Sequence, residues 1–327
     1  MATFIDTLPI QPTDHLRPLD IQRDLLAVAD LIELCFASTM DPDGEQYLRQ
    51  MRRYARDAGF FRWASSTIDQ LPMPLSGFIW EENGKLVGNL SLIPLTKQGK
   101  RVYFIANVAV HPDFRRKGIA RALAEAGLHY IRDHRISTAW LQVREENFSA
   151  LQLYLSEGFI ERARRISWQM DPRKHEDFLQ KLDGFSINNR NSADWDLQKT
   201  WLTHNYPPEI AWNLPFNVNN LKPALLTDIV RFLDGNPLRH WAIRYHSQLI
   251  GTLTFEPTTA YTDNLWLAAP LKSEEQTIFY LIPHVLPRLP TYRPLSLNYP
   301  AKQAEEALSE VGFKKHQTLI WMEATFS

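Results

Sequence analysis

The sequence predicts an α+β fold of two tandem domains, each with a mixed, mostly antiparallel sheet flanked by helices. Three observations predict this class: strands and helices occur in clusters, a polar junction lies near 171–192, and the second half repeats segments of the first. The length of 327 residues is also long for a single core. We therefore predict domains at 1–172 and 183–327.

The first predicted elements are a strand, two helices and a hairpin. Apolar residues recur at helical spacing through Arg23–Ala37, and the acidic and turn residues of Asp41–Glu45 are typical of a helix start. Asn83-Gly84 is a strong hairpin signal. In chain order, these patterns predict a strand at His15–Leu19, helices at Arg23–Ala37 and Asp43–Ala58, and hairpin strands at Phe78–Trp80 and Leu86–Leu92.

Apolar runs and helical spacing also predict the remaining elements of the first domain. The apolar run Val102–Val110 predicts a strand that ends before Pro112, which has no N–H to donate to a neighbouring strand. Leu123 and Leu128 lie on one face of a predicted helix. The predicted elements are a strand at Val102–Val110, a helix at Arg121–Asp133, a strand at Thr138–Val143, a helix at Ser149–Glu157 and a closing strand at Ile166–Met170.

Composition excludes several classes of protein. Lys plus Arg (36) nearly balances Asp plus Glu (37), so the basic excess expected of a nucleic-acid-binding protein is missing. Cys35 is the single cysteine, so no intramolecular disulfide forms, and its apolar surroundings favour a buried structural role. Met1–Thr13 lacks the pattern of a signal peptide, and no apolar run is long enough to span a membrane. We expect a cytoplasmic protein without a metal site, a membrane partner or a nucleic-acid partner.

The turn Arg115–Ala120 has the composition of a phosphate-binding site. It lies between an apolar strand and a helix start, where the first helical amides have no intrahelical partner and the helix dipole favours an anion. Gly118 leaves the backbone open to a close approach. Three cations in Arg115–Lys117 add charge, so we expect this turn to bind a pyrophosphate.

Residues Val108–Leu123 closely resemble the acetyl-CoA signature of the GCN5-related N-acetyltransferase (GNAT) superfamily, in which Arg/Gln-x-x-Gly-x-Gly/Ala follows an apolar strand. The resemblance implies that acetyl-CoA is the cofactor and that 1–172 is the catalytic domain. The cofactor-binding residues that it implies are Val108, Ala109, Val110, Arg115, Arg116, Lys117, Gly118, Ile119, Ala120 and Arg121.

A second segment, Asn147–Phe159, resembles the family pattern Asn-x-x-Ala-x-x-x-Tyr-x-x-x-Gly-Phe. The resemblance implies that Asn147 contacts the pantetheine arm and that Tyr154 is the general acid near the cofactor sulfur. A phenol suits this role, because it can donate a proton to a departing thiolate of comparable basicity. His111 is interpreted as a structural residue at the strand end rather than as a base.

The same resemblance implies direct attack of a neutral amine on the thioester in a ternary complex, with an oxyanion held by a backbone N–H of Asn107–Val110. Family members often carry an acidic residue just before the Val-Ala-Val segment, where this sequence has Ala106-Asn107. The general base therefore stays open. The candidates are Glu33, Asp41, Asp43, Glu81 and a bound water chain.

Residues 183–327 resemble a degenerate copy of the first half. Gly84–Leu92 aligns with Ser247–Phe255 at an offset of 163, and Leu155–Phe159 aligns with Ser309–Phe313 at an offset of 154. At the second offset Ala301 replaces Asn147 and Leu308 replaces Tyr154, and the turn Leu271–Gln276 has no glycine and two carboxylates. We expect no CoA binding there. As a hypothesis, Trp195–Pro223 forms part of the acceptor pocket.

The predicted function is transfer of an acetyl group from acetyl-CoA to a primary amine of a small molecule. The alternatives are a non-catalytic acyl-CoA sensor, favoured by the missing acidic residue, and a protein-lysine acetyltransferase. Transfer from a charged tRNA is disfavoured by the near-neutral charge and the intact turn. The sequence leaves open the acceptor, the acyl chain length, the general base, the oligomeric state and the role of the second domain.

Overall fold

The computed structural model describes residues 15–57, 76–174, 183–223, 237–290 and 293–326. They form two compact units: the first holds the described residues of 1–142, 148–160 and 322–327, and the second holds those of 143–147 and 161–321. Both units are discontinuous in sequence, whereas the domains predicted at 1–172 and 183–327 are continuous segments. The predictions for Met1–Thr13 and for a helix end at Ala58 lie outside the described residues.

The first unit is a mixed sheet with helices on it, as its strand order shows. Its elements are β1 (Leu16–Pro18), α1 (Ile21–Phe36), α2 (Pro42–Ala55), β2 (Ser76–Glu82), β3 (Lys85–Lys97), β4 (Lys100–Val110), α3 (Ile119–Asp133), β5 (Thr138–Arg144) and α4 (Phe148–Ser156). The strands lie in the order β1-β2-β3-β4-β5. Neighbours are antiparallel except β4 and β5, which are parallel.

Helix starts and apolar faces account for how the helices sit on this sheet. The carboxylates of Asp20 and Asp41 accept backbone N–H groups at the starts of α1 and α2. Buried apolar residues of both helices pack against Ile79 of β2. Leu123 and Leu128 of α3 are buried, as the helical spacing predicts.

The second unit repeats this architecture. Its elements are β6 (Ile160–Met170), β7 (Phe185–Asn189), α5 (Trp195–Asn205), α6 (Pro208–Ala211), β8 (Arg239–Tyr245), β9 (Gln248–Glu256), β10 (Asp263–Ala268), α7 (Glu274–Val285), β11 (Leu295–Pro300), α8 (Glu305–Glu310) and β12 (Lys314–Thr325). Ile160 of β6 and the end of β12 from Met322 onward are counted with the first unit. Within the unit the order is β6-β11-β10-β9-β8-β7. The described pairs are antiparallel except β10 with β11, which are parallel like β4 with β5.

Local irregularities recur at the offsets found in the sequence. The hairpin β2-β3 shifts register between Trp80 and Glu81, and β8-β9 shifts at the two residues 163 positions later, Ile243 and Arg244. Two residues after the ends of α4 and α8 lie glycines with positive φ, Gly158 and Gly312. Each glycine is followed by a Phe whose N–H donates to the carbonyl five residues earlier at 3.0 Å. The predicted α+β class with two tandem copies is confirmed.

Most aromatic residues of the second half belong to the core of its unit. Trp195, Tyr206 and Phe216 pack together with Trp266. Among the strand aromatics Trp241, Phe255, Trp266 and Trp321 are buried, whereas Tyr245 is 44% exposed. These aromatic side chains therefore hold the unit together. In the described part of the chain, no helix is both long enough and apolar enough to cross a membrane.

Candidate active site

Strands β4 and β5 of the first unit form a fork. Their parallel pairing covers only Tyr103–Ile105 on β4 and Ala139–Leu141 on β5. Beyond these residues β4 continues through Ala106–Val110 without pairing to β5. Backbone amide and carbonyl groups need partners, so this opening can accept an extended ligand with amide groups of its own, such as a pantetheine arm.

A β-bulge marks the point where the fork opens. Ser91 of β3 pairs with Ala106 and Asn89 pairs with Ala109, so two residues of β4 stand opposite one residue of β3. Asn107, in the bulge, has a φ of 51°. The bulge turns the end of β4, which carries the predicted Val108–Val110 segment.

The predicted phosphate turn leads into the uncapped start of α3. Gly118 is the N-cap residue with φ 81° and ψ −4°, and no side chain caps the helix. The starts of α1 and α2, by contrast, are closed by carboxylates. The amides of Ile119, Ala120 and Arg121 therefore remain available to an anion. A Cβ at residue 118 would meet no atom within 4 Å, so the approach to these amides is open.

The cations of the turn differ in what they contact. Arg115 donates from Nε to the Val110 carbonyl at 3.2 Å, which ties the turn to the end of β4. The Lys117 ammonium lies 4.7 Å from the centre of the Phe114 ring. Arg116 is exposed, has a φ of 64° and makes no side-chain hydrogen bond or ion pair within the described part of the chain. Arg121 forms an ion pair with Glu157, so it is its backbone rather than its guanidinium that faces the site.

Tyr154 on α4 is a buried tyrosine with an unused hydroxyl. Its ring packs edge-on against Phe159, 5.8 Å between centres. Burial raises the pKa of its phenol well above the ordinary value. Its hydroxyl forms no hydrogen bond with the described residues, whereas those of Tyr206 and Tyr299 donate to Asn298 and Glu274.

Asn147 and His111, which were also considered from the sequence, lie next to the ends of α4 and β4. Asn147 is exposed, directly precedes α4 and is counted with the second unit. The Nδ1 atom of His111 accepts the Asp113 N–H at 3.3 Å, which supports the structural interpretation of this histidine.

Most of the carboxylates considered as general bases are engaged elsewhere. Glu81 binds Arg17 and Arg23. Glu33 binds Arg52 at 2.6 Å, and Asp41 caps α2. Asp43 lies in the first turn of α2.

Sequence reasoning missed a group of polar side chains at the bulge. Asn89, Ser91 and Asn107 are hydrogen-bonded to one another, and Asn107 also contacts Tyr47 of α2. Asn89 and Ser91 are fully buried. The signal that could have found them is the pair of polar residues at alternate positions of an otherwise apolar strand, which places both on one face.

The corresponding fork of the second unit is filled by its own side chains. Pairing of β10 with β11 covers two positions only, Asp263–Asn264 on β10. Farther along, Asn205 Nδ2 donates to the Leu267 carbonyl of β10 at 3.3 Å and to the Tyr299 hydroxyl of β11 at 3.0 Å. The adjacent helix α7 begins with the buried Glu274, which accepts the Tyr299 hydroxyl. A carboxylate and a carboxamide thus occupy the positions that stay open in the first unit.

A family model described as the acetyltransferase (GNAT) family matches residues 32–159. Residues 32–159 belong to the GNAT acetyltransferase family. The matched segment contains the fork, the turn at Gly118 and Tyr154.

Relatives match the chain in part. The [ribosomal protein bS18]-alanine N-acetyltransferase of Salmonella typhimurium is 39% identical over 73 residues, which are 22% of this chain and 49% of that protein. The mycothiol acetyltransferase of Thermobifida fusca is 43% identical over 111 residues, 34% of this chain and 31% of that protein. The chain thus matches about half the length of the first relative and a third of the second.

A solved structure matches the whole chain. The GCN5-related N-acetyltransferase from Sphaerobacter thermophilus has a TM-score of 0.60 at 14% sequence identity, covering 96% of both chains. At this identity the likeness shows the fold alone. It extends the family fold over both units.

Proposed function

We propose that this chain transfers an acetyl group from acetyl-CoA to a primary amine of a small molecule. The observation that carries the proposal is the uncapped start of α3 at Gly118, with exposed cations beside it and the fork of β4 and β5 in the same unit. Family membership of 32–159 supports it. We place the catalytic domain at 1–172 and a copy without CoA binding at 183–327.

The first unit's residues fit the two ends of the cofactor. The amides of Ile119–Arg121 and the side chains of Arg116 and Lys117 would bind the pyrophosphate, because anions are favoured at a helix N-terminus. The segment Val108–Val110, which does not pair with β5, would bind the pantetheine amides.

Acetyl-CoA supplies an activated acyl group as a thioester. The amine nitrogen bonds to the acetyl carbon while the carbon–sulfur bond breaks, the sulfur takes a proton, and the nitrogen loses one. Tyr154 would give the proton to sulfur, since burial keeps its phenol protonated and its hydroxyl is not engaged by the described residues. A backbone N–H of Asn107–Val110 would stabilise the oxyanion.

A second candidate acceptor is the α-amine of a protein. One relative is named for the alanine of ribosomal protein bS18, whereas another is named for mycothiol. Both acceptors present a primary amine to the thioester, so the same chemistry serves either.

Calorimetric titration with CoA tests the cofactor site. We expect Arg116→Glu to weaken CoA binding about tenfold to a hundredfold, because a charge-assisted contact with phosphate contributes roughly 1.5–3 kcal/mol. Gly118→Glu should abolish binding. The matched control is Arg135→Glu, since Arg135 is also exposed with a positive φ of 55° but lies after the end of α3. Undiminished affinity in Arg116→Glu and Gly118→Glu, with both variants folded, would refute the site.

Release of free thiol separates an enzyme from a sensor. Wild-type protein mixed with acetyl-CoA and a set of primary amines should release CoA thiol in proportion to amine acetylation. Tight CoA binding without thiol release for every amine would support the acyl-CoA sensor instead.

A further inference from the structure

The bulge of β4 brings together four uncharged polar side chains from three elements. Asn89 Nδ2 donates to the Asn107 carbonyl at 2.9 Å and to Ser91 Oγ at 3.2 Å. Asn107 Nδ2 donates to Tyr47 OH at 3.2 Å and to Ser91 Oγ at 3.3 Å. We call these four residues the bulge cluster. It lies where β4 leaves β5, because Asn107 is the second residue beyond their paired stretch.

The bulge cluster has hydrogen-bonding capacity that the described residues do not use. Tyr47 OH accepts from Asn107, and within the described part of the chain its own proton has no acceptor. Asn107 Oδ1 likewise receives no donor from those residues. Asn89 Oδ1 is buried without a partner, which ordinarily costs about 1–3 kcal/mol. Tyr47 and Asn107 are half-buried, so a small molecule can reach them.

The bulge cluster carries no charge. Burial raises the pKa of the Tyr47 phenol, which keeps it neutral around pH 7. The Val110 carbonyl nearby accepts from Cys35 and Arg115, and burial also raises the pKa of the Cys35 thiol. Asp43 lies four residues before Tyr47 on the same side of α2.

We propose that the bulge cluster binds the acceptor in its neutral form and selects α-amino carbonyl compounds over strongly basic alkylamines such as the lysine side chain. The inference rests on the proposed function. An amine N–H would donate to Asn107 Oδ1, and the adjacent carbonyl oxygen would accept from Tyr47. A neutral nitrogen keeps its lone pair for the acetyl carbon, and an ammonium would find no carboxylate in the cluster.

Two simple amines test this selection. Glycinamide represents an α-amine of pKa about 8, and Nα-acetyl-lysinamide represents a side-chain amine of pKa about 10.4. At pH 7 the neutral fraction differs roughly 200-fold between them. We expect wild-type kcat/KM to favour glycinamide by about 100-fold or more. Asn107→Asp supplies a carboxylate of the same shape and should reduce this preference at least about tenfold, with an unchanged KM for acetyl-CoA.

Three comparisons complete the experiment. Asn188→Asp, at an exposed position of β7, should keep the wild-type preference. Tyr47→Phe removes the proposed carbonyl donor and should lower kcat/KM for glycinamide more than for the lysine probe. Asp43→Asn tests the neighbouring carboxylate, and a hundredfold loss for both probes would identify it as a base and overturn neutral selection.

The remaining outcomes separate this inference from the proposed function. Thiol release with an equal preference in wild type and Asn107→Asp would overturn the role of the bulge cluster and leave acetyl transfer intact. No thiol release with either probe, despite CoA binding, would overturn the proposed function and this inference together.

Discussion

Tyr154 differs from the buried tyrosines of the second unit in what its hydroxyl contacts. Tyr206 donates to a backbone carbonyl and Tyr299 to a carboxylate, so both hydroxyls serve the fold. Tyr154 is also buried, but its hydroxyl makes no such bond with the described residues. Because the fold does not use this hydroxyl, we assign it a partner in the reaction.

Replacing Tyr154 by Phe should lower kcat about a hundredfold or more, because it removes the proton donor to the leaving thiolate. The KM for acetyl-CoA should change little, since the ring and its contact with Phe159 remain. Burial raises the pKa of this phenol, so the group stays protonated and should cause no falling limb in wild-type kcat below about pH 10. Steady-state kinetics across pH measure both effects.

Tyr130→Phe is the control for that substitution, because Tyr130 packs against Phe78 and Tyr103 in the same unit. It should retain wild-type kcat. Equal rates in Tyr154→Phe and Tyr130→Phe would exclude Tyr154 as the general acid.

The sequence predicted those site residues that lie close together in the chain. Arg115–Ala120 is one turn, and its chemistry follows from a strand, a glycine and a helix start. The bulge cluster was missed because Tyr47 and Asn107 are 60 residues apart and meet only through a bulge that turns Asn107. A register shift of this kind leaves no simple sequence pattern.

The position of α3 depends on its close approach to β3. A Cβ at Gly88 would lie 2.9 Å from Ile119 Cγ2 and 3.1 Å from Leu123 Cδ1. In the second unit a Cβ at Gly251 would lie 2.3 Å from Thr277 of α7. The same strand-to-helix contact is therefore built at both positions, 163 residues apart. The helices differ in their first turn, where α7 has two carboxylates and α3 has none.

Gly88→Ala and Gly251→Ala form a matched pair of substitutions. Each should lower the free energy of unfolding by about 1–3 kcal/mol, because an extra methyl group is forced into packed side chains. Gly88→Ala should also weaken CoA binding several-fold, since Ile119 at the helix start must move. Gly251→Ala should leave CoA affinity unchanged. Denaturant unfolding and calorimetry would show the difference, and equal effects on affinity would contradict it.

The sequence predicted whether an element is a helix or a strand where its hydrophobic periodicity was strong. It did not predict the residues at which the elements begin and end. Helix α3 begins at Ile119 rather than at the predicted Arg121, because Gly118 in the left-handed region acts as its N-cap. The closing strand β6 begins at Ile160 rather than at the predicted Ile166. Its first three residues are exposed, and Glu161 and Arg162 are charged, so hydrophobic patterning gave no sign of them.

The chain contains two copies of one architecture, but dividing the sequence at a single point would not separate the two units. The described residues from 322 onward belong to the first unit, where Glu323 pairs with Lys97 at 3.4 Å and the Arg132 guanidinium lies 4.8 Å from the centre of the Phe326 ring. Truncation near 172 would remove these contacts. The intact chain is therefore the right material for each experiment proposed here.

The two copies differ at the fork between their parallel strands. In the second unit Arg165 is 2% exposed, donates to the Asn205 carbonyl at 2.7 Å, and burial lowers its pKa to about 10. This bond holds in place the residue that fills the fork. Because buried hydrogen bonds of the protein's own side chains close this fork, the fork cannot also bind a ligand.

Because the two forks differ in this way, one chain should bind one CoA. Titration of the intact protein should give a stoichiometry near one, because Asn205 bridges the strands of the second fork among the described residues. Of the two helices that follow the forked strands, α7 also begins with carboxylates and α3 does not. Gly118→Glu should then leave no residual binding. A stoichiometry of two in the wild-type protein would mean that Asn205 and Glu274 can move out of the second fork. It would contradict the assignment of the second copy as closed.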